Sequence, residues 1–324
     1  GVIDEVHCVS EWGHNFRTPY LSLGRNLLEF CKAADGQIAL FGLTATASFD
    51  VLSDVQRELS GNKENQMIPD EAIVRYENTN RDELQYHIVK VDLDQDIIEE
   101  VTRRGATNFG KNLNQEFGIL KQRVLNQLLA NPGHFLRKFN VKKDEIITEE
   151  LIKLTYPEGR APVVDEIHKR ISLPQESYEY DFWSYLDGEG NNNAALVFAP
   201  HKTWYFGVTD KYQPFERNAG ITESILRTRL LPPDKVGTFM GVDNDDEATA
   251  KTLQDDNDRN QEQFVNGYQQ LMVATKAFGM GIDKPNIRFT IHNNFPDSIE
   301  SFVQEAGRGG RDRRLSVACV LFND

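Results

Sequence analysis

Gln304-Glu305-Ala306-Gly307-Arg308-Gly309-Gly310-Arg311-Asp312 sets two arginines three residues apart among glycines, with a glutamine ahead of them. Arginine is permanently charged and presents a planar fork of donors, which suits charge spread over a phosphoryl group. On a helix, positions 308 and 311 share one face, so the spacing predicts both forks aimed at one anion. A solvated basic loop or a nucleic-acid contact fits the string alone equally well. The second half of the argument lies at the other end of the chain.

There, Val2-Ile3-Asp4-Glu5-Val6-His7 runs from apolar residues into adjacent carboxylates. This is the Walker B arrangement, in which Asp4 holds Mg²⁺ and Glu5 orients or deprotonates the attacking water. By itself the tetrapeptide also reads as a strand end with a polar turn. Two further strings support the first reading. Leu43-Thr44-Ala45-Thr46-Ala47 follows the apolar Ile38-Ala39-Leu40-Phe41, placing small hydroxyl residues at a second strand end. Val273 to Asp283 follows Leu271-Met272 in the same way. Its glycines allow close backbone approach, and Asp283 offers an acceptor to a ribose hydroxyl or an arginine.

In this order the strings resemble motifs II, III, V and VI of superfamily 2 helicases. Cys8-Val9-Ser10-Glu11-Trp12-Gly13-His14-Asn15-Phe16-Arg17, directly after the DExH box, resembles the aromatic-rich loop of the RecQ family of DNA helicases. The resemblance covers residues 1–90 and 191–324 and implies an ATP-dependent DNA helicase with two RecA-like α/β lobes. It implies ATP and Mg²⁺ as cofactors, single-stranded DNA and duplex junctions as partners, 3′-to-5′ unwinding, and work in DNA repair and recombination. By the same resemblance Asp4 holds Mg²⁺ and Glu5 activates water, while Gln304, Arg308 and Arg311 serve the γ-phosphate, with Arg311 as the finger. Gly281 and Asp283 bind nucleotide, and His7, Thr44 and Thr46 couple hydrolysis to movement. Trp12, His14, Phe16, Arg17, His201, Lys202 and Thr275 fall on the DNA side. Trp12 and Phe16 offer flat faces to unpaired bases, although a packed aromatic cluster reads equally well for either one. A surface turn reads equally well for His201-Lys202.

The expected organisation is the C-terminal part of lobe one in 1–91, a mainly helical insertion in 92–190, and lobe two in 191–324. The functional residues are expected at the C-terminal ends of parallel strands. Ile97, Ile98 and Val101 recur at helical spacing, as do Phe117, Leu120, Val124, Leu125, Leu128 and Leu129. Further helices are predicted across 144–155 and 162–171, with stops at Asn131-Pro132-Gly133 and Tyr156-Pro157-Glu158-Gly159. The insertion reads as a packing subdomain or as a partner- or DNA-contacting one. A small basic cluster, Arg137, Lys138, Lys142 and Lys143 around Phe139, bears on the second reading. Lobe two departs from the family at Gly237-Thr238-Phe239-Met240-Gly241, where Tyr-His-Ala-Gly is usual. It departs again at Gly309, where alanine is usual, and at Arg313, where glycine is usual.

No Gly-x-x-x-x-Gly-Lys-Ser/Thr occurs in the 324 residues, and the first residue is Gly. The reading is a fragment that lacks the upstream half of lobe one and hydrolyses no ATP alone. Net charge is −14, with 8 basic against 14 acidic residues in 1–90, 13 against 18 in 91–190, and 15 against 18 in 191–324. That balance excludes a histone-like electrostatic binder. Cys8, Cys31 and Cys319 have no metal-ligand spacing, and no apolar run reaches membrane-spanning length. A cytoplasmic enzyme is expected, nucleoid-associated in a bacterium. The alternatives are a degenerate helicase module with a regulatory role, and a superfamily 2 RNA helicase or duplex translocase. The retained carboxylates and arginines weigh against the first, and the aromatic-rich loop weighs against the second.

Overall fold

The computed structural model describes residues 1–11, 23–33, 36–44, 49–60, 68–74, 81, 83–103, 109–130, 132, 182–184, 186, 191–211, 220–242, 247–278, 282–312 and 314–323. They belong to two compact units, Gly1–Asn80 with Ile299–Gln304, and Arg81–Ser298 with Glu305–Asp324. The helices expected across 144–155 and 162–171 and the basic cluster around Phe139 lie outside the described residues.

In the first unit, β1 (Val2–Ile3) is followed by α1 (Cys8–Glu11), α2 (Leu23–Phe30), β2 (Lys32–Ala33), β3 (Gly36–Gln37), β4 (Phe41–Gly42) and α3 (Phe49–Leu59). β1 and β4 pair in parallel, Val2 opposite Phe41 and Ile3 opposite Gly42. Val51, Val55 and Leu59 repeat every four residues along α3, forming one apolar stripe. The stripe buries against Ile3, Val6 and Val9, with Leu23 and Leu27 of α2 packed alongside.

The second unit is built on one sheet. Its elements are β5 (Leu84–Lys90), α4 (Gln95–Arg103), α5 (Phe109–Ala130), β6 (Ala194–Phe198), α6 (Ile221–Thr228), β7 (Val236–Phe239), α7 (Glu247–Val265), β8 (Leu271–Ala274), β9 (Ile287–His292) and β10 (Ser316–Phe322). Helix α8 (Ile299–Ala306) lies between β9 and β10 in the chain. The six strands stand in the order β5-β10-β9-β6-β8-β7, all parallel. β6 and β8 read as unbroken apolar runs, β9 interleaves Arg288, Thr290 and His292 with apolar residues, and all three are buried throughout, as a parallel sheet covered on both faces requires. Along β6, Ala195 and Val197 enter one core while Ala194, Leu196 and Phe198 enter the other. The α/β class with a parallel sheet is therefore as expected.

Two segments differ from the sequence reading. β5, grouped with the first lobe in 1–91, pairs along all seven of its residues with β10, from Leu84 opposite Ser316 to Lys90 opposite Phe322. Its alternation of buried and exposed side chains suits the sheet edge that it occupies. α5, expected within a separate insertion, is part of this unit's core. Leu125, Leu128 and Leu129 bury against Val197, Val273, Phe289, Val317 and their neighbours. Full burial of each leucine is worth about 1.5–3 kcal/mol. The helical periodicity gave the apolar face correctly but not the surface it covers.

Candidate nucleotide site and nucleic-acid face

In the first unit, β1 delivers Asp4 and Glu5 into a turn. Glu5 has φ 50°, in the left-handed region. For a residue with a Cβ that conformation costs about 1–3 kcal/mol and persists only where its surroundings hold it. Its amide donates to Asp4 Oδ1 at 3.0 Å. His7 is buried, with Nδ1 2.8 Å from Thr44 Oγ1 and 3.3 Å from Glu5 Oε2. One imidazole nitrogen thus faces both the carboxylate after β1 and the hydroxyl after β4. Parallel pairing of those two strands brings the two strand-end strings together. Asp4 is exposed, and among the described residues no three His, Cys, Asp or Glu side chains cluster as a metal site. A lone carboxylate fits Mg²⁺, which takes one or two protein carboxylates and completes its shell with waters and phosphate oxygens.

The Gln304–Asp312 string is helical only as far as Ala306, where α8 stops, and the glycines carry the chain through turns, Gly310 at φ 61°. Arg308 is 4% exposed, whereas the Arg311 side chain is 39% exposed. The expectation of two arginines on one helical face is therefore corrected: three glycines in four residues end the helix first. Gln304 stays in the last turn of α8. Arg311 Nη1 donates to Asp283 Oδ1 at 3.1 Å, one of the two roles expected of that aspartate. The pair is exposed and worth at most about 1 kcal/mol, so an anionic ligand can displace it.

The turn lies at the N-terminal edge of the sheet, contrary to the C-terminal expectation. Gly310 N donates to the carbonyl of Ile287, the first residue of β9, and Ser316 N donates to Glu83 O. Three residues without a role in the sequence reading fix the turn. Arg81 donates to Gly307 O and Gly309 O, at 2.6 and 2.7 Å. Arg288, buried in β9, forms a two-pronged ion pair with Asp312, with one bond of 2.8 Å. Ser316 Oγ donates to Ile287 O at 3.1 Å. A Cβ on Gly309 would collide with that hydroxyl, which accounts for glycine where alanine is usual.

The other expected residues gather at the C-terminal edge. Thr275 Oγ1 accepts from Gly241 N at 3.3 Å, tying the end of β8 to the Gly237–Gly241 string. His201 pairs with Gly207 across a turn, its side chain exposed and that of Lys202 partly so. The buried Lys121 of α5 reaches this edge, donating to Asn293 O at 3.1 Å and Asn294 Oδ1 at 3.3 Å. Burial lowers its pKa to about 8, and burial also brings Lys284 to about 8. Trp12, His14, Phe16, Arg17, Thr46 and Gly281 lie outside the described residues.

Residues 246–313 match the helicase conserved C-terminal domain. The chain is 27% identical over 321 residues to the putative ATP-dependent DNA helicase Q1 of Caenorhabditis elegans, covering 99% of this chain and 32% of that protein. It is 26% identical to the ATP-dependent DNA helicase RecQ of Bacillus subtilis, covering 99% of this chain and 34% of that protein. The chain thus spans about a third of these relatives' own length. The matched spans run through 91–193, where the resemblance was expected to stop. Among solved structures, Saccharomyces cerevisiae Dbp5 bound to RNA and ADP BeF3 aligns at a TM-score of 0.49 and 12% identity, covering 100% of this chain and 53% of that one. That level adds nothing to the fold read from the sheet itself.

Proposed function

We infer, the chain being RecQ-like along nearly its whole length, that it supplies part of an ATP-dependent DNA helicase. That enzyme couples hydrolysis to translocation on single-stranded DNA and to 3′-to-5′ unwinding of duplex junctions, in repair and recombination. The observation that carries this reading is the glycine turn anchored around Arg308 and Arg311, with Asp283 beside it. Such a turn presents permanent positive charge in a fixed place, the requirement for stabilising a transferring phosphoryl group.

Bound Mg²⁺ supplies charge neutralisation and orientation of the phosphates. Asp4 contributes a carboxylate to it, and Glu5 orients the attacking water and takes its proton. Arg311 is the finger on the γ-phosphate, Arg308 a second cation for the same nucleotide, and Gln304 a polar contact beside them. His7, hydrogen-bonded to Thr44, links the hydrolytic carboxylate to the second strand end. Asp283 and Gly281 complete the nucleotide side. Thr275, His201 and Lys202, with Trp12, His14, Phe16 and Arg17, serve the DNA strand. The enzyme works in the cytoplasm, or at the nucleoid of a bacterium.

The test is ATP hydrolysis by the complete gene product with and without single-stranded DNA, beside residues 1–324 alone. The reading expects DNA-stimulated turnover from the complete product. It expects none from the 324 residues alone, which contain no phosphate-cradling Gly-x-x-x-x-Gly-Lys-Ser/Thr. A complete product without ATPase activity would overturn it.

A further inference from the structure

Arg81 is the first residue of the second unit in the chain, 226 residues before Gly307 and 228 before Gly309, the two residues whose carbonyls it holds. All three of its nitrogens are engaged. Nη1 and Nη2 take the two carbonyls, and Nε donates to Glu83 Oε1 at 2.6 Å. Glu83 is buried directly before β5, its carbonyl receiving Ser316 N. The carbonyls lie just past the C-terminus of α8, where unsatisfied oxygens attract a cation. The planar fork of arginine suits two acceptors at fixed separation better than the single nitrogen of an ammonium does.

The site also leaves the turn no slack on that side. A Cβ on Gly310 would stand 2.8 Å from Arg314 O and 3.1 Å from Glu83 Cγ. The Arg288–Asp312 pair pins the far end of the same turn. Arg308 and Arg311 lie between the two pins.

We propose that Arg81 is a positioning residue for phosphoryl transfer, clamping the 307–309 carbonyls so that Arg308 and Arg311 are held where the developing charge appears. This rests on the helicase reading above. A finger misplaced by about 1 Å loses about 10²-fold in rate. The loss falls on kcat, because the interaction is made in the transition state rather than in ground-state binding.

The experiment compares Arg81→Ala and Arg81→Lys in the complete gene product, by DNA-stimulated ATPase kinetics and by hydrogen exchange of the 307–312 amides. Arg81→Ala is expected to lower kcat by about 10–10² while the KM for ATP stays within about twofold. Exchange should accelerate locally at 307–312 and stay unchanged in 271–274 and 287–292. Arg81→Lys, able to reach one carbonyl, should recover part of kcat. Unchanged exchange at the turn would overturn the proposal, as would local loosening without loss of kcat. So would acceleration spread across the sheet strands, which marks a general stability role. An inactive parent protein would overturn the helicase reading instead, and the exchange comparison would still decide the clamp.

Discussion

At the N-terminal edge of the six-stranded sheet the anchors are charged: Arg81 on two carbonyls, Arg288 on Asp312, Arg311 on Asp283. At the C-terminal edge, Thr275 meets a backbone amide, and Lys121 meets a carbonyl and a side-chain amide. The two edges are roughly 17–20 Å apart, the length of β9 at about 3.3 Å per residue. Permanent, directional charge at one edge suits a triphosphate. The other edge holds hydroxyl and amide contacts beside the Lys121 amine and the Lys276–Asp297 pair, which suits a strand gripped through hydroxyls, amides and a few local cations and agrees with an acidic chain that captures nucleic acid poorly by charge alone. On the proposed function, the nucleotide and the DNA strand would then be served from opposite ends of one set of strands.

The comparison breaks most readily at the charged edge. Asp312→Ala should leave the Arg288 guanidinium buried without its carboxylate, costing about 3–5 kcal/mol in denaturant unfolding. The paired change Arg288→Met with Asp312→Leu should recover most of that loss. A cost below about 1 kcal/mol for the single change would show that the pair does not hold the turn.

Gly309→Ala should cost about 1–3 kcal/mol, because its methyl group meets Ser316 Oγ. Combining it with Ser316→Ala should give a coupling energy that relieves the strain, measured as a double-mutant cycle. Additive effects would mean that Ser316 is not what excludes alanine.

Thr275→Val, at the C-terminal edge, should cost only about 0.5–1.5 kcal/mol for the lost bond to Gly241 N. It should weaken single-stranded DNA binding while leaving the KM for ATP unchanged. A change in KM with DNA affinity intact would reverse the assignment of the two edges.

A pH-dependent effect concerns Lys121. Its folded pKa of about 8 lies below the ordinary 10.5, so the unfolded chain binds more protons between those values. This lysine's contribution therefore makes stability rise with pH from about 8 to 10. Lys121→Met removes the rise, and subtracting the two unfolding free energies cancels other groups that titrate there. A difference that is flat with pH would place the amine in water.

What could be read in the sequence was local. Asp4, Glu5, His7 and Thr44 announce themselves because each follows an apolar strand, and parallel pairing then brings His7 and Thr44 to 2.8 Å. β6, β8 and β10 were legible as apolar runs, whereas β9, with Arg288, Thr290 and His292 among its residues, was not. The spacing of Arg308 and Arg311 suggested a helix, while the glycines between them pointed to a turn, and the glycines prevailed. Arg81 carried no local signal, since its acceptors are backbone carbonyls more than two hundred residues away. The placement of α5 was hidden for a related reason: an amphipathic helix shows which of its faces is buried but not the sheet that buries it.

The most direct test of the charged edge as the nucleotide edge is the DNA-stimulated kcat of Arg311→Ala in the complete gene product, with single-stranded DNA affinity measured on the same sample. The account predicts a loss of about 10³–10⁵ in turnover, with DNA affinity and melting temperature close to the parent's. Turnover within about threefold of the parent would contradict it.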